Sequence, residues 1–586
     1  MGILLVIAGC GGSAAAPSSS SPAASPGSSS PAANAGASGA ASAAAKPAGS
    51  AAPASGGASS SAAAKPAGAP AASGAQPVKG GTLSIVEFTG DPPSLDPYLN
   101  TSFRTQEFAA VFYSRLLQYD TGADVKPNSF KIVGDLSDTW DTSKDGLTYT
   151  FHIRDNAKWQ NLAPLNGRKL TADDVVYSYQ RFTKDGVQKG LMSNVADVKA
   201  TDASHVAFTL KAVDATFLNL MASPVFYIVP KEVVDKDGDL TKTVVGSGPF
   251  MFDKYSKGVD ITAKRNPDYY ISGEPYLDAL DMLIIPSADT AVANFRSKQV
   301  DVLPAVPQPQ RDALGKSNAD ATFYDYPANL LSFFYWRVTG KPFDDVRVRQ
   351  AVSLAIDRDE LINDLFNGKG VYNSALPAGL GSWWLDPKSA DFGPSSVYFK
   401  RDVNKAKSLL AEAGYQNGLT VPMISTLNAY GDTFNQGVEL VQKEIKDAGI
   451  NVNFQAQDYA AYVSSTYLGK FAEGTMVWGL ETPVQEPNDY LFSMYDPAGP
   501  RDHGGVNDPK LTQMIEQQKV ELDATKRKQE INAIQQYIGE QAYYVQGPDG
   551  LATVAAQPWV KNFYWETDYA NIPEVFSKVW LQGKPS

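Results

Sequence analysis

The chain has 586 residues, with 51 basic and 63 acidic side chains, a formal charge of −12, one cysteine and three histidines. A single thiol cannot form an internal disulfide, and so few cysteines and histidines argue against a zinc module. The excess of acidic residues argues against a nucleic acid partner, because neutralising phosphates requires a basic surface.

The first ten residues, MGILLVIAGC, place an apolar run, Ile3–Ile7, before the only cysteine, Cys10. The order Ile-Ala-Gly-Cys resembles a bacterial lipobox, in which signal peptidase cuts before a cysteine that then carries a lipid anchor. The alternative is a chance cysteine in a short apolar stretch. No Lys or Arg precedes Cys10, so we expect the basic n-region of the signal to lie upstream of the first residue.

Residues 11–77 differ in composition from everything that follows them. They contain only Ala, Ser, Pro, Gly, Asn, Gln and two lysines, Lys46 and Lys65. With no large aliphatic or aromatic side chain, burial cannot offset the entropy of ordering the backbone. We therefore predict a disordered tether, and the remaining part of the chain, 78–586, carries all the acidic residues.

Strand and helix signals alternate along residues 78–586, which favours an α/β architecture. The segments 148–154 (TYTFHIR) and 205–211 (HVAFTLK) alternate apolar and polar residues, as half-buried strands do. His152 and His205 then lie on the polar faces, which argues against roles as ligands or catalysts. The third histidine, His503, lies in the loop-like segment RDHGG.

Several helices begin at an aspartate that can cap the first turn. Asp357, Asp402 and Asp432 each precede an apolar pattern with a spacing of three and four residues, and Gly449 follows the last of these helices. Further helices are predicted near 171–183, 288–298, 344–356 and 524–541. No stretch approaches the ~20 apolar residues of a membrane helix.

No catalytic motif was found. The phosphate-binding loop, the dinucleotide fingerprint, the nucleophile elbow and the zinc-protease motif are all absent. Catalysis by two distant carboxylates needs no local motif, so a cell-surface hydrolase with paired carboxylates stays open as an alternative function. We predict no cofactor and no metal.

Large aromatic residues cluster at strand ends and in loops. Trp383 and Trp384 follow a glycine-rich stretch, Tyr335 and Trp336 end the apolar segment LLSFFYW, and Trp478 ends TMVW. Each of these side chains can be a core residue. As a set, they would suit a pocket that stacks on apolar or planar ligand surfaces.

A series of motifs resembles the family 5 extracellular solute-binding proteins, the peptide and nickel class that serves ABC importers. The matching stretches, in the family's order, are GGTLSIVEFTGDPPSLDPYLNTS, TADDVVYSYQRF, VGSGPFMFDKYSKGVDITAKRNPDYY, PFDDVRVRQAVSLAIDRDELINDLFNGKG, RDVNKAKSLLAEAGY and WGLETPVQEPNDYLFSMYDP. Each stretch alone is weakly specific. Their ordered occurrence over nearly all of 78–586 is the basis of the resemblance.

The resemblance implies an α/β, two-lobed periplasmic-binding-protein-like fold of type II, with hinged lobes, mixed sheets and an inserted subdomain. The implied division is a signal remnant at 1–10, the tether at 11–77, lobe I at 78–124, 243–328 and 545–586, an inserted subdomain at 125–242, and lobe II at 329–544. A ligand that contacts both lobes would favour the closed form.

The resemblance also implies where the ligand lies. The implied regions are the loop Gly90–Ser102, the loop Gly246–Phe250 and the segment from Trp478 to Glu481. In peptide-binding relatives, an Asp three residues after the Trp pairs with the ligand amine, and Glu481 takes that position here; the alternative is a solvated surface glutamate. Arg337 could pair with a ligand carboxylate or with a neighbouring Asp. The predicted ligand-binding residues are Trp478, Glu481, Tyr335, Trp336, Arg337, Trp383, Trp384, Gly248, Pro249 and Tyr98.

We therefore expect a monomeric, lipid-anchored receptor on the outer face of the cytoplasmic membrane that delivers a solute to an ABC permease. An oligopeptide is the expected ligand. Three histidines do not favour nickel, although a metal carried by a small chelator would not need them, and sugar oligomers stay open. A stalked interaction protein, which would expose an apolar patch, is a further alternative.

Overall fold

The structure is a computed structural model that describes residues 76–88, 90–122, 125, 128–427, 429–481, 486–564 and 575–585. All of these residues belong to the larger of the two units into which the chain divides. Cys10 and the predicted tether up to residue 75 lie outside the described residues. Within the described ranges, no helix combines the length and the apolar composition needed to cross a bilayer.

The strands are β1 (Thr82–Glu87), β2 (Leu117–Tyr119), β3 (Ile132–Gly134), β4 (Ser137–Thr142), β5 (Thr148–Ile153), β6 (Val195–Ala200), β7 (His205–Leu210), β8 (Phe250–Ser256), β9 (Asp260–Arg265), β10 (Ala279–Ile284), β11 (Val302–Leu303), β12 (Thr322–Pro327), β13 (Leu331–Tyr335), β14 (Gly370–Tyr372), β15 (Leu419–Thr426), β16 (Ile450–Gln457), β17 (Met476–Glu481), β18 (Val545–Gln546), β19 (Pro548–Ala556), β20 (Val560–Lys561) and β21 (Trp580–Leu581).

The helices are α1 (Phe103–Phe112), α2 (Ala172–Asp185), α3 (Phe217–Ala222), α4 (Lys231–Asp237), α5 (Ala288–Arg296), α6 (Gln308–Ser317), α7 (Val346–Ala355), α8 (Arg358–Phe366), α9 (Val403–Glu412), α10 (Asp432–Asp447), α11 (Tyr459–Ser464), α12 (Pro487–Tyr495), α13 (Pro509–Val520) and α14 (Ala524–Gln541). Short 3₁₀ turns cover Lys189–Met192, Ala378–Trp383, Ala390–Phe399 and Thr466–Leu468.

The predicted strands and most predicted helix starts are confirmed. Strands β5 and β7 alternate as expected, and His152 and His205 pair with nearby aspartates on the polar side. The side chains of Asp357 and Asp402 cap α8 and α9. The prediction for α10 was wrong by one residue: Gly431 is the N-cap, because its φ of +85° supplies a conformation that L side chains rarely adopt.

Three sheets organise the fold. The largest has eight strands in the order β12-β19-β11-β1-β10-β9-β8, with β14 paired to β19. A five-stranded sheet runs β16-β15-β17-β13-β18, and a four-stranded sheet, β4-β5-β7-β6, is formed within the segment predicted as the inserted subdomain. Parallel pairs such as β1 with β10 and β15 with β16 stand beside antiparallel ones, so the larger sheets are mixed.

The chain passes between the two larger sheets four times, because β14 belongs to the eight-stranded sheet whereas β13 and β15 belong to the five-stranded sheet. Two of these passages are short and lie next to each other, and we call them the crossings. One crossing is residues 328–330, between β12 and β13, and the other is Gly547, between β18 and β19. Val545 and Gln546 pair with β13, so the chain leaves the five-stranded sheet after residue 546.

The five-stranded sheet has its own apolar core. Helices α7, α9 and α10 contribute buried residues such as Val352, Leu410 and Val441, which join Met423 and Met476 of the sheet. This packing explains the apolar spacing of three and four residues in α10, because that spacing places one helix face on the sheet. This core packs against β17 and so fixes the position of its aromatic side chain, Trp478.

Candidate ligand-binding cleft

A cavity of about 320 Å³ lies beside the two crossings, between the eight-stranded and the five-stranded sheets. The end of β1, the segment 304–309 and β19 line it from one side, and α8, α10 and β17 line it from the other. The crossing residues Ala328 and Leu330 also line the cavity, as does Pro548, the first residue of β19. The cavity is therefore a cleft between two structural layers that are joined at its edge.

Most of the cleft wall is apolar or aromatic, and its charged side chains are all acidic. The aromatic residues of the wall are Phe88, Phe103, Tyr326, Phe366, Tyr430, Phe434 and Trp478. Glu87, Glu107 and Asp549 also line it, whereas no Lys, Arg or His does so among the described residues. The cleft can thus enclose an apolar surface while offering carboxylates at fixed positions.

Trp478 is the predicted ligand-binding residue that the structure places in the cleft wall. It lies in the middle of β17, opposite Phe334 of β13, and the two ring centroids are 4.7 Å apart. The ring is 4% exposed, and its Nε1 has no hydrogen-bond partner among the described residues. A buried N–H donor without a partner costs free energy, so this indole is suited to donate to a bound ligand.

Glu87 and Glu107 form one ionic cluster with Arg104 at the end of β1 and the start of α1. Arg104 Nη1 lies 3.2 Å from Glu87 Oε2 and 3.7 Å from Glu107 Oε2. Neither contact has hydrogen-bond geometry, and both Nη atoms and Glu107 Oε2 lack a hydrogen-bond partner among the described residues. Burial raises the pKa of Glu87 and raises that of Glu107 further, because the Glu87 charge adds to burial there.

Asp549 is the second residue of β19 and follows the second crossing closely. It accepts hydrogen bonds from the backbone N–H of Ser332, at 3.1 Å, and from the amide of Asn373. The residue is 5% exposed, and burial raises the pKa of its carboxyl to about 7, although these hydrogen bonds act in the opposite direction. This acid therefore changes charge near neutral pH, directly in the cleft wall.

Glu481 ends β17 and lies outside the cavity lining, in a buried ionic cluster. His503 Nε2 lies 2.7 Å from its Oε2, Arg501 Nη1 donates to its Oε1 at 2.6 Å, and the Tyr467 hydroxyl donates to the same oxygen at 2.6 Å. Burial acts to raise the pKa of Glu481, but His503, Arg501 and Tyr467 outweigh it and hold that pKa below its usual value.

The interpretation of Glu481 as a solvated surface residue is therefore wrong, since the side chain is 1% exposed. His503, which was predicted in a loop, is also fully buried, and its Nδ1 faces the carbonyl of Tyr467. Both ring nitrogens of His503 thus face oxygen acceptors. The position that resemblance assigns to the ligand amine is occupied here by the Arg501 guanidinium and the His503 ring.

Tyr335, Trp336 and Arg337 lie around the end of β13 and outside the cavity lining. The hydroxyl of Tyr335 donates to the Tyr462 hydroxyl at 3.0 Å, and Trp336 stacks on Phe343 with centroids 4.6 Å apart. Arg337 Nη1 donates to the carbonyl of Gly469 at 3.3 Å, rather than to a neighbouring Asp. In this structure, the two aromatic residues fill the interior.

Trp383 and Trp384 also lie away from the cavity. Both are half-buried at the end of the 3₁₀ turn, and Arg527 sits over the Trp383 ring at 5.2 Å. Gln535 donates to the carbonyl of Trp383 at 2.9 Å, which ties this turn to α14. These contacts are typical of a structural role.

Gly248, Pro249 and Tyr98 lie outside the cavity lining and make structural contacts. The N–H of Gly248 donates to the carbonyl of Phe112 at 2.9 Å, and a Cβ at Gly248 would stand 2.8 Å from the Phe112 carbonyl carbon. Pro249 is buried, and its carbonyl accepts from Asn266. Tyr98 is 1% exposed and packs edge-on against a phenylalanine of α2. The loop Gly246–Phe250 therefore positions α1 rather than lining the cavity.

Sequence reasoning missed Glu87, Glu107 and Asp549. For Glu87 and Glu107, a signal was available in the sequence of α1, where the polar run RTQE stands before the apolar run AAVF. All of these side chains are buried, so the helix has no solvated face to which the polar run could belong. Within the described residues, no group of three or more His, Cys, Asp or Glu side chains is arranged to hold a metal ion.

Comparison with known proteins places this architecture in a family. Residues 131–501 match the family model described as bacterial extracellular solute-binding proteins, family 5 Middle. The dipeptide-binding protein of Escherichia coli K12 is 27% identical over 433 residues, which cover 70% of this chain and 78% of the relative.

Solved structures share the fold over most of the chain. The ABC transporter substrate-binding protein CtaP from Listeria monocytogenes has a TM-score of 0.71 at 22% identity, covering 86% of this chain and 99% of the other. The periplasmic binding protein DppA from Helicobacter pylori, in complex with the peptide STSA, has a TM-score of 0.65 at 23% identity, covering 86% and 98%. The predicted two-lobed fold is confirmed, and the chain belongs to the bacterial extracellular solute-binding proteins of family 5.

Proposed function

We propose that the chain captures a solute between its two lobes and delivers it to the membrane permease of an ABC importer, and that the solute is a peptide. The observation that carries this proposal is the enclosed aromatic cleft between two sheets joined by two crossings. The named relatives include a dipeptide-binding protein and a protein in complex with a peptide, which supports the peptide class.

The proposed lobes follow the two larger sheets, and the inserted subdomain follows the four-stranded sheet. Rotation about the crossings would open and close the cleft, and a ligand that contacts both sides would shift the population towards the closed form. In this proposal, Trp478 is the ligand contact on the side of the five-stranded sheet, because it lines the cleft with an unpartnered N–H.

The alternative of a hydrolase predicts two carboxylates facing one cleft, and Glu87 and Glu107 meet that condition. However, both carboxylates approach the same guanidinium nitrogen of Arg104, so they lie on one side of the cation. Catalytic carboxylate pairs flank the bond that they cleave. This arrangement favours binding over hydrolysis, and we propose that the chain carries out no turnover.

Solute capture is tested on the purified full-length chain by native mass spectrometry and by a thermal-shift screen with a peptide library. We expect a peptide carried over from the cells, or peptides that raise the melting temperature, since a ligand at a hundredfold excess over its Kd stabilises by about 2.7 kcal/mol. Intact peptide should be recovered afterwards. Cleaved peptide would contradict the proposal, as would the absence of both carried-over and bound solutes.

Anchoring is the second part of the proposal, and it rests on Cys10 in the lipobox-like segment. We expect Cys10→Ser, expressed in a bacterium behind a complete secretion signal, to move the protein from the membrane pellet to the soluble fraction and to abolish labelling with a fatty acid analogue. Stable membrane anchoring takes more than a single acyl chain. The loss of Cys10 would remove the whole lipid anchor, so the move to the soluble fraction should be visible. Ser13→Ala serves as the control and should stay in the pellet. A Cys10→Ser protein that sediments with the membrane contradicts the anchor.

A further inference from the structure

The distribution of charge in the cleft restricts the chemistry of the solute. Glu87 and Glu107 line the cavity, whereas Arg104, which lies beside both, does not. Two carboxylates therefore face the cleft with a single guanidinium beside them, which leaves one negative charge when both are ionised. No Lys, Arg or His in the described part of the chain lines the cavity, so the wall offers no side chain that would pair with a ligand carboxylate.

The polar atoms at this point are incompletely satisfied by the protein. Glu107 is 6% exposed, yet its Oε2 accepts no hydrogen bond from the described residues. On the other side of the cleft, the buried Nε1 of Trp478 is also without a partner. Buried polar groups are nearly always paired, so an unpaired acceptor and an unpaired donor on residues that line the same cavity point to a ligand that pairs with them.

The other carboxylate considered for a ligand amine is already engaged. Glu481 is held by His503, Arg501 and Tyr467, and it does not line the cavity. A ligand ammonium placed there would have to displace a cation of the protein. The Glu87 and Glu107 carboxylates need no such displacement.

We infer that Glu87 and Glu107 bind the ammonium group of the solute, and that the carboxyl group of a peptide bound there is blocked or lies outside this cavity; the inference deepens the proposed function and rests on it. An ammonium supplies three donors and one positive charge, which suit two carboxylates that face one space. The aromatic wall encloses the apolar part of the solute. A metal ion is not indicated, since no metal-binding group was found among the described residues.

The electrostatics of the cleft support this assignment. Burial and the charge of Glu87 raise the pKa of Glu107, while Arg104 lowers it only in part. A ligand cation beside the two carboxylates would replace the proton as the source of positive charge. Binding of an ammonium is therefore expected to release protons, which titration calorimetry in buffers of different ionisation enthalpy measures directly.

Three probes on the full-length chain separate the possibilities. Phenylalanyl-leucine amide carries an ammonium and no carboxylate, its N-acetyl derivative is neutral, and phenylalanyl-leucine with a free carboxyl group is zwitterionic. By calorimetry, we expect the amide to bind about tenfold or more tightly than the acetylated amide, because hydrogen bonds to charged groups contribute about 1.5–3 kcal/mol. The zwitterion should bind more weakly than the amide. Phenethylamine and its N-acetyl derivative provide the same comparison outside peptides.

Glu87→Gln and Glu107→Gln test the two residues without a large change of shape. Each variant leaves one carboxylate against Arg104, a balanced pair, so both proteins should fold, and their thermal unfolding is measured as a check. We expect each substitution to reduce the preference for the free amine to threefold or less, by the loss of one charged partner. Glu439→Gln, on the exposed side of α10, is the matched control and should keep the full preference.

Several results overturn the inference. Equal binding of free and acetylated amines, or a preference that survives in both glutamine variants, rules out the two carboxylates as the ammonium site while leaving solute capture intact. Tighter binding of the zwitterion than of the amide would indicate a carboxylate at Arg104 instead. If none of the free amines binds, the inference about the ammonium site is also overturned. The proposed capture of a solute fails only if mass spectrometry and the library screen find no bound solute.

Discussion

Replacing Glu481 by glutamine (Glu481→Gln) is expected to lower the free energy of unfolding by about 3 kcal/mol, because it removes the buried carboxylate that pairs with the Arg501 guanidinium and contacts His503. Glu481 is fully buried and pairs with His503 and Arg501. Glutamine keeps the shape but removes the charge. The change is measured by urea unfolding at neutral pH. Peptides with free and with acetylated amino termini should then lose affinity to the same extent, if they lose any.

Tyr467→Phe is the graded control for this prediction. It removes one hydrogen bond to the Glu481 carboxylate and keeps the charge of Glu481 and its contacts with His503 and Arg501, so we expect a smaller loss of about 1.5 kcal/mol. The opposite result would be a Glu481→Gln protein of unchanged stability that binds free amines poorly and acetylated peptides normally. That result would make Glu481 the ligand-pairing residue, as the family resemblance implies, and would contradict the structural role.

Replacing Asp549 by asparagine (Asp549→Asn) is expected to make the protein more stable than its parent at pH 8, but not at pH 5. Burial raises the pKa of Asp549 from the ordinary value of 3.8 to about 7. A carboxyl with a raised pKa in the folded state contributes its full stability below the unfolded pKa, and this contribution is lost as the pH rises to the folded value. The parent protein therefore loses this stability between about pH 4 and pH 7, and the total loss is about 4 kcal/mol at most.

Asparagine can still accept from the Ser332 backbone and from Asn373 through its amide oxygen, so the local structure should persist. The measurement is urea unfolding at pH 5, 6, 7 and 8. Burial also raises the pKa of Asp489 to about 7 and that of Glu444 to about 8. The stability of the variant should therefore still decline as the pH rises, but less steeply than that of the parent. Asp364→Asn, at an exposed site on α8, is the control. A decline as steep as in the parent would contradict the buried, protonated state of Asp549.

Local signals in the sequence were sufficient for much of the secondary structure. Asp357 and Asp402 cap their helices because the side-chain oxygen and the receiving N–H groups lie within one turn, which the sequence displays directly. The same reasoning failed at Asp432, where Gly431 begins the helix with a left-handed φ. The choice between the two neighbours depends on how the preceding chain enters the helix, and no local pattern records that path.

The cleft was harder to predict than the fold, because its residues come from distant segments. Glu87, Glu107 and Asp549 line one cavity although they are distant in the sequence, and the strand order contributes to this by placing β1 and β19 on either side of β11. Trp478 was found because it lies beside a family motif. Trp336, equally prominent in the sequence, stacks on Phe343 in the core, and only the fold separates these two tryptophans.

The two crossings lie at the inner edge of the cleft, and this has a mechanical consequence. Ala328, Leu330 and Pro548 flank the cavity next to the axis about which the lobes would turn, where the lever arm is shortest. A rotation of the lobes barely displaces side chains close to this axis, including Asp549, whereas residues at the outer rim travel furthest. Contacts near the axis would therefore select the solute in both the open and the closed form, and contacts at the rim would determine how long it is retained.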